Sequence, residues 1–186
     1  MIEAQYTLHI DDPSEGWRGS AAKAGGGCII DMGYHIIDTL LWYFGLPNRI
    51  LADTSVQARP DRSYDAEDSA LIHFGYDSGL YGSLLLSRFI GPKTEHIRLI
   101  GSKGIVHLER GHIRRLGNNG QVEESLTRDQ AWKSAAVSQI NYFCRVIDGS
   151  RVNISCPGHN LDHMRFIAAC YASAKTHTYV DPKEAI

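Results

Sequence analysis

Seven short β-type runs follow one another between Arg49 and Leu126 with no helix-length segment among them, which restricts the fold more than any other feature of the chain. They are Ile50 to Ala58, Ser69 to Tyr76, Leu80 to Phe89, His96 to Ile100, Ile105 to Leu108, Ile113 to Leu116 and Val122 to Leu126. Asp77, Ser78 and Gly79 make a hairpin connection, and Gly101 to Gly104 and Gly117 to Gly120 make the next turns. The regular strand and helix alternation of a parallel sheet is absent, so an antiparallel meander is expected.

Helical signals lie on both sides of this stretch. Ile2 to Ile10 reads as a first strand, and Asp11 to Gly27 as a long loop holding Pro13, Gly16, Gly19 and the triplet Gly25, Gly26, Gly27. A helix is predicted from Asp31 to Phe44, with Ile37, Leu40, Leu41 and Phe44 as its core-facing stripe and Gly45 and Pro47 as its stop. Gln130 to Asp148 returns to helical periodicity, with Trp132, Ala136, Ile140, Phe143 and Ile147 on one face, and a last helix runs from about Asn160 to His177. The expected architecture is α+β, a mostly antiparallel β-sheet with helices packed on one face. At 186 residues the chain suits a single domain.

Bulk chemistry excludes some functions. A formal charge of -2 and a pI near 6.5 leave no basic surplus for a nucleic-acid partner. No run of about 18 apolar residues marks a membrane span and no leader pattern opens the chain, so a cytoplasmic protein is expected. Cys28, Cys144, Cys156 and Cys170 lack the short paired spacings of a zinc or redox site and read as reduced packing residues.

Chemistry concentrates in GGGCIIDMGYHIID, residues 25 to 38. On a regular helix Asp31 and His35 share a face one turn apart, with Asp38 close to the same azimuth. A carboxylate beside an imidazole orients the ring and stabilises its protonated form, as an acid/base requires near neutral pH. The same spacing fits a structural pair in which Asp31 helps cap the helix. It also fits two ligands of a metal ion, which would need a third from among His73, His96, His107 and His112, none suitably spaced. The triplet Gly25 to Gly27 is the only candidate phosphate loop, and it fails the G-x-G-x-x-G spacing.

The run GGGCIIDMGYHIIDTLLWYFGLP resembles the signature of the glucose-fructose oxidoreductase, inositol dehydrogenase and MocA (Gfo/Idh/MocA) family, whose second domain carries a Gly-Gly-x-x-x-Asp-x-Gly-x-His-x-x-Asp helix. Trp17-Arg18 upstream, EHIRLIGSKGIVHLE at residues 95 to 109, and NLDHMRFIAACYASAKTH near the end are similar to the same family. The resemblance implies the C-terminal, dihydrodipicolinate-reductase-like domain of an NAD(P)-dependent oxidoreductase acting on a sugar, polyol or related hydroxy compound. It implies His35 as the acid/base and Asp31 as its partner, both at the substrate, with Asp38 as support and Trp17 and Arg18 near the cofactor. No metal is implied.

The chain departs from that family in having neither a Rossmann domain ahead of its first strand nor a Glu-Lys-Pro lysine. NAD or NADP is therefore expected only in the complete enzyme, through a nucleotide-binding domain in cis or in trans, and none on this chain alone. Two other functions stay open: a non-enzymatic sensor or regulatory module of the same fold, and a metal-dependent hydrolase or isomerase. The strands carry apolar residues on both faces, with Leu71, Tyr81, Leu85 and Phe89 opposite the core-facing set. A homo-oligomer through the sheet face is the expectation.

Overall fold

The computed structural model describes residues 1–128 and 132–186. Eight strands form one sheet: β1 (Ile2–His9), β2 (Arg49–Ser55), β3 (Ser69–Gly75), β4 (Tyr81–Ser87), β5 (Phe89–Gly101), β6 (Gly104–Glu109), β7 (His112–Leu116) and β8 (Val122–Thr127). Their order across the sheet is β2-β3-β4-β1-β5-β6-β7-β8. Every neighbouring pair is antiparallel except β1 with β4. The first strand thus lies in the middle, with Ile2 opposite Gly82 on one side and Leu99 on the other. The meander is otherwise as its turns imply: Gly79 closes the hairpin at positive φ, with its N–H donating to the Tyr76 carbonyl at 3.0 Å. β5 is longer than its sequence pattern suggests and takes in Phe89.

A one-turn helix α1 (Ala21–Ala24) precedes α2 (Tyr34–Phe44); α3 (Trp132–Ile147) and α4 (Pro157–Thr176) follow the sheet. Gln130, where the periodicity starts the third helix, lies outside the described residues. The core is built by Ile36, Ile37 and Leu40 of α2 and Phe166, Ile167 and Cys170 of α4, packed on Ile50, Ile72, Phe74, Leu84 and Leu86. Phe166 meets Phe74 edge-on at 6.3 Å, a favourable arrangement for two buried rings. Ser173 accepts from the Ala52 N–H at 2.9 Å and donates to the Thr178 carbonyl at 2.7 Å, which fastens α4 to β2.

The helices cover less of the sheet than expected. No residue of β6, β7 or β8 is fully buried. The apolar face of α3 is outside the core too: Ile140 and Phe143 are each 62% exposed and Ile147 71%. Periodicity marks that face as apolar, yet nothing among the described residues covers it. Of the four thiols only Cys28 and Cys170 are buried; Cys144 is exposed and Cys156 half-buried, so packing accounts for two. Among the described residues no helix is long and apolar enough to cross a membrane.

Candidate active site

The glycine triplet enters the site as backbone. Gly27 N–H donates to Glu67 Oε2 at 2.6 Å, and Ile29 N–H to Glu67 Oε1 at 3.0 Å. The Tyr171 hydroxyl donates to the same Oε1 at 2.9 Å, and the Cys28 N–H to the Glu67 carbonyl at 2.8 Å. Glu67, not Asp31, therefore satisfies the free donors at the start of this helical segment. A Cβ on Gly27 would stand 2.0 Å from the Glu67 carbonyl oxygen, so only glycine allows the two backbones to meet. Burial and the Glu67 carboxylate push the Tyr171 hydroxyl far above the usual tyrosine range, and the same two causes raise the Cys28 thiol. With Gly27, Cys28 and Ile29 engaged, this turn offers no cradle for a pyrophosphate.

A π turn over Ile29–Gly33 comes next, where a continuous α-helix was expected. Such turns recur at functional sites because they re-aim side chains. Here the turn presses on the sheet: a Cβ on Gly33 would lie 2.5 Å from Leu86 Cδ1. Asp31 sits within it, and its Oδ2 accepts from Arg88 Nη2 at 2.9 Å and lies 3.5 Å from Arg18 Nε. The Arg18 guanidinium stacks over the Trp17 ring at 4.7 Å. Trp17, Arg18, Asp31 and Arg88 thus converge from the 3₁₀ turn Gly16–Gly19, the π turn and the end of β4.

His35 stands on the first turn of α2 with its side chain exposed, edge-on to Tyr34 at 6.3 Å. It makes no ion pair with Asp31. In place of the expected carboxylate and imidazole pair, Asp31 is engaged by the guanidinium groups of Arg88 and Arg18. Asp38 bonds across to α4: its Oδ1 lies 2.6 Å from His163 Nε2. The His163 ring stacks on Tyr34 at 5.1 Å, and the Tyr34 hydroxyl donates to Asn160 Oδ1 at 3.2 Å. Asp38 therefore braces the helix that carries His35.

Sequence reasoning missed Glu67, Arg88, His163 and Tyr171. Two signals were available: adjacent acids, Glu67 and Asp68, leading into an apolar strand, and an arginine following the apolar run Leu84 to Leu86. Among the described residues no group of three His, Cys, Asp or Glu side chains could hold a metal ion. A cavity of about 610 Å³ opens elsewhere, between Ile36 and Tyr43 of α2 and Ile97, Leu108 and Leu126 of the sheet. Trp17, Arg18, Asp31 and His35 do not line it, so geometry and charge, not cavity size, mark the candidate site.

Residues 1–107 match the family model described as GFO/IDH/MocA C-terminal domain. No curated protein matches the sequence. Among solved structures, an NAD-binding oxidoreductase from Klebsiella pneumoniae overlays with a TM-score of 0.83 at 16% identity, covering 97% of this chain and 58% of that one. An aldose-aldose oxidoreductase from Caulobacter crescentus, complexed with glycerol, gives 0.79 at 22% identity, with 97% and 54% covered. A levoglucosan dehydrogenase in complex with NADH and levoglucosan gives 0.79 at 16% identity, with 97% and 57% covered. The chain has the fold of this part of those proteins and spans a little over half their length.

Proposed function

Because the chain belongs to the GFO/IDH/MocA C-terminal domain family, we propose that it is the substrate-binding and catalytic domain of an NAD(P)-dependent oxidoreductase. Its substrate class is a sugar, polyol or related small hydroxy compound. The observation that carries this reading is an exposed imidazole, His35, one helical turn beyond a carboxylate, Asp31, that two arginines hold in place. His35 takes the substrate hydroxyl proton on oxidation and returns it on reduction, the work of a general acid/base. Asp31 anchors the substrate through its remaining carboxylate oxygen, and Trp17 with Arg18 borders the nicotinamide side.

Bound NAD(P) supplies hydride chemistry. Its phosphates do not fit this chain, since Glu67 already occupies the N–H groups beside the glycine triplet. They belong to a dinucleotide-binding domain supplied in cis or in trans. Neighbours of which this chain covers a little over half, one solved with NADH and levoglucosan, support that arrangement.

The test is turnover of a sugar and polyol panel by the complete two-domain enzyme, followed by nicotinamide absorbance. His35→Ala is expected to lower turnover by roughly 100-fold, the range for loss of a positioned acid/base. Asp31→Asn does less damage and shifts the pH profile. Near-normal turnover of His35→Ala at every pH would remove the assignment.

A further inference from the structure

We infer that Arg88 is the positioning residue of this site: it fixes the Asp31 carboxylate so that one oxygen is held by the protein and the other faces the substrate. The inference rests on the acid/base reading of Asp31 and His35. Arginine is rarely buried without a partner, yet the Arg88 side chain is only 3% exposed. A buried guanidinium needs a carboxylate, and Arg88 has Asp31 at 2.9 Å.

Asp31 uses its two oxygens unequally. Oδ2 receives Arg88 and lies near Arg18, while Oδ1 accepts no hydrogen bond among the described residues and the side chain keeps 30% of its surface open. An ionised carboxylate oxygen with free lone pairs at an accessible edge is an acceptor for a hydroxyl. The geometry therefore divides the carboxylate into an anchored half and a working half.

Arg88 is itself held by its backbone. Its N–H donates to the Asp68 carbonyl at 2.7 Å, and its carbonyl accepts from the Ile10 N–H at 2.7 Å. Asp68 is buried and accepts from the Ala58 N–H, the Tyr64 hydroxyl and the Ser69 hydroxyl. From this frame Arg88 Nη1 also reaches the Arg18 carbonyl at 3.4 Å, so the same guanidinium that holds Asp31 touches the Trp17-Arg18 turn. Its Nε, by contrast, is buried without a partner among the described residues. A buried pair with an orphaned donor adds little stability over apolar packing, so its use lies in placing Asp31.

The experiment compares Arg88→Met, Arg88→Lys, Asp31→Asn and the Arg88→Met/Asp31→Asn double variant in the complete two-domain enzyme, with far-UV circular dichroism confirming the fold. Arg88→Met is expected to lower kcat by up to about 100-fold, as misplacement of a catalytic group does. Arg88→Lys, which keeps the charge and loses the fork, recovers part of the loss. In the Asp31→Asn background, Arg88→Met changes kcat by less than about 2-fold further, because its effect on turnover runs through Asp31. Wild-type kcat and pH profile in Arg88→Met, or a loss fully additive with Asp31→Asn, overturns the inference. If Arg88→Met does not fold, Arg88→Lys decides: wild-type kcat there overturns it as well. His35→Ala separates the two levels, since normal turnover in that variant sinks the acid/base reading, whereas its loss beside unaffected Arg88 variants sinks the role of Arg88 alone.

Discussion

Glu67 holds together what the sequence separates by about forty positions, the glycine triplet and the strand that begins at Ser69. Its carboxylate accepts from two backbone N–H groups and one hydroxyl in a buried setting, so Glu67→Ala leaves three donors unmet. A loss of about 3 kcal/mol or more in urea unfolding is expected. Gly27→Ala should cost as much, because its new carbon meets backbone that cannot swing away. Nearby ionisable groups predict an alkaline limit. Burial raises the Cys28 and Cys170 thiols and the Tyr171 hydroxyl, and it pushes Tyr76 up to about 12. Each keeps its proton in the folded chain at pH values where the unfolded chain releases it. Stability is therefore fully present below about pH 8.5, the range of a free thiol, and declines as pH rises, with the Tyr76 share lost between about 10 and 12. Urea midpoints measured across that range check the sign; a midpoint constant to pH 11 would contradict it.

At the scale of elements, α3 and α4 are both legible as helices in the sequence, yet only α4 is packed into the core. Phe166 of α4 is buried against Phe74, while Phe143 of α3 is exposed. Phe166→Ala should cost about 3 to 5 kcal/mol, and Phe143→Glu with Ile147→Glu should change stability by no more than about 0.5 kcal/mol each. Denaturant titration of the two variants distinguishes a core helix from one whose apolar face awaits a cover. Local pattern reveals the helices and most strand positions because period 3.6 and period 2 are properties of neighbours in sequence. It does not reveal what a face packs on. That β1 sits between β4 and β5, and that Asp31 meets Arg88, are long-range facts: Asp31 and Arg88 are 57 positions apart. The helix bearing Asp31 and His35 was therefore legible, whereas the π turn within it, the Asp31 partner and the Glu67 brace were not. A π turn inserts one residue into a helical register without changing composition, so no propensity reports it.

The whole molecule presents the sheet surface away from the helices, and its chemistry divides along the strand order. Toward β2, β3 and β4 it is mixed: Leu71 is 54% exposed, lies directly opposite Leu85 on one side and Asp53 on the other, and shares the face with Leu51, His73 and exposed Tyr81. Toward β5, β6 and β7 it is polar, with the Glu3–Arg98 and Glu109–Arg114 ion pairs and the edge-on rings of His96 and His107 at 5.3 Å. The apolar area is smaller than alternation alone suggests, since Asp53, His73 and Ser83 share the face with Leu71. We propose that two copies pair through this face, Leu71 and Leu85 against their counterparts, with the charged half at the rim. Light scattering after size exclusion at low micromolar concentration should then give a dimer, and Leu71→Lys should give a folded monomer with wild-type far-UV circular dichroism, because Leu71 makes no part of the core. Mild salt dependence is expected, as exposed ion pairs at a rim are screened. If Leu71→Lys remains a dimer while Phe143→Glu with Ile147→Glu becomes monomeric, the contact lies on α3 instead, and a soluble wild-type monomer would rule out the sheet-face pairing altogether.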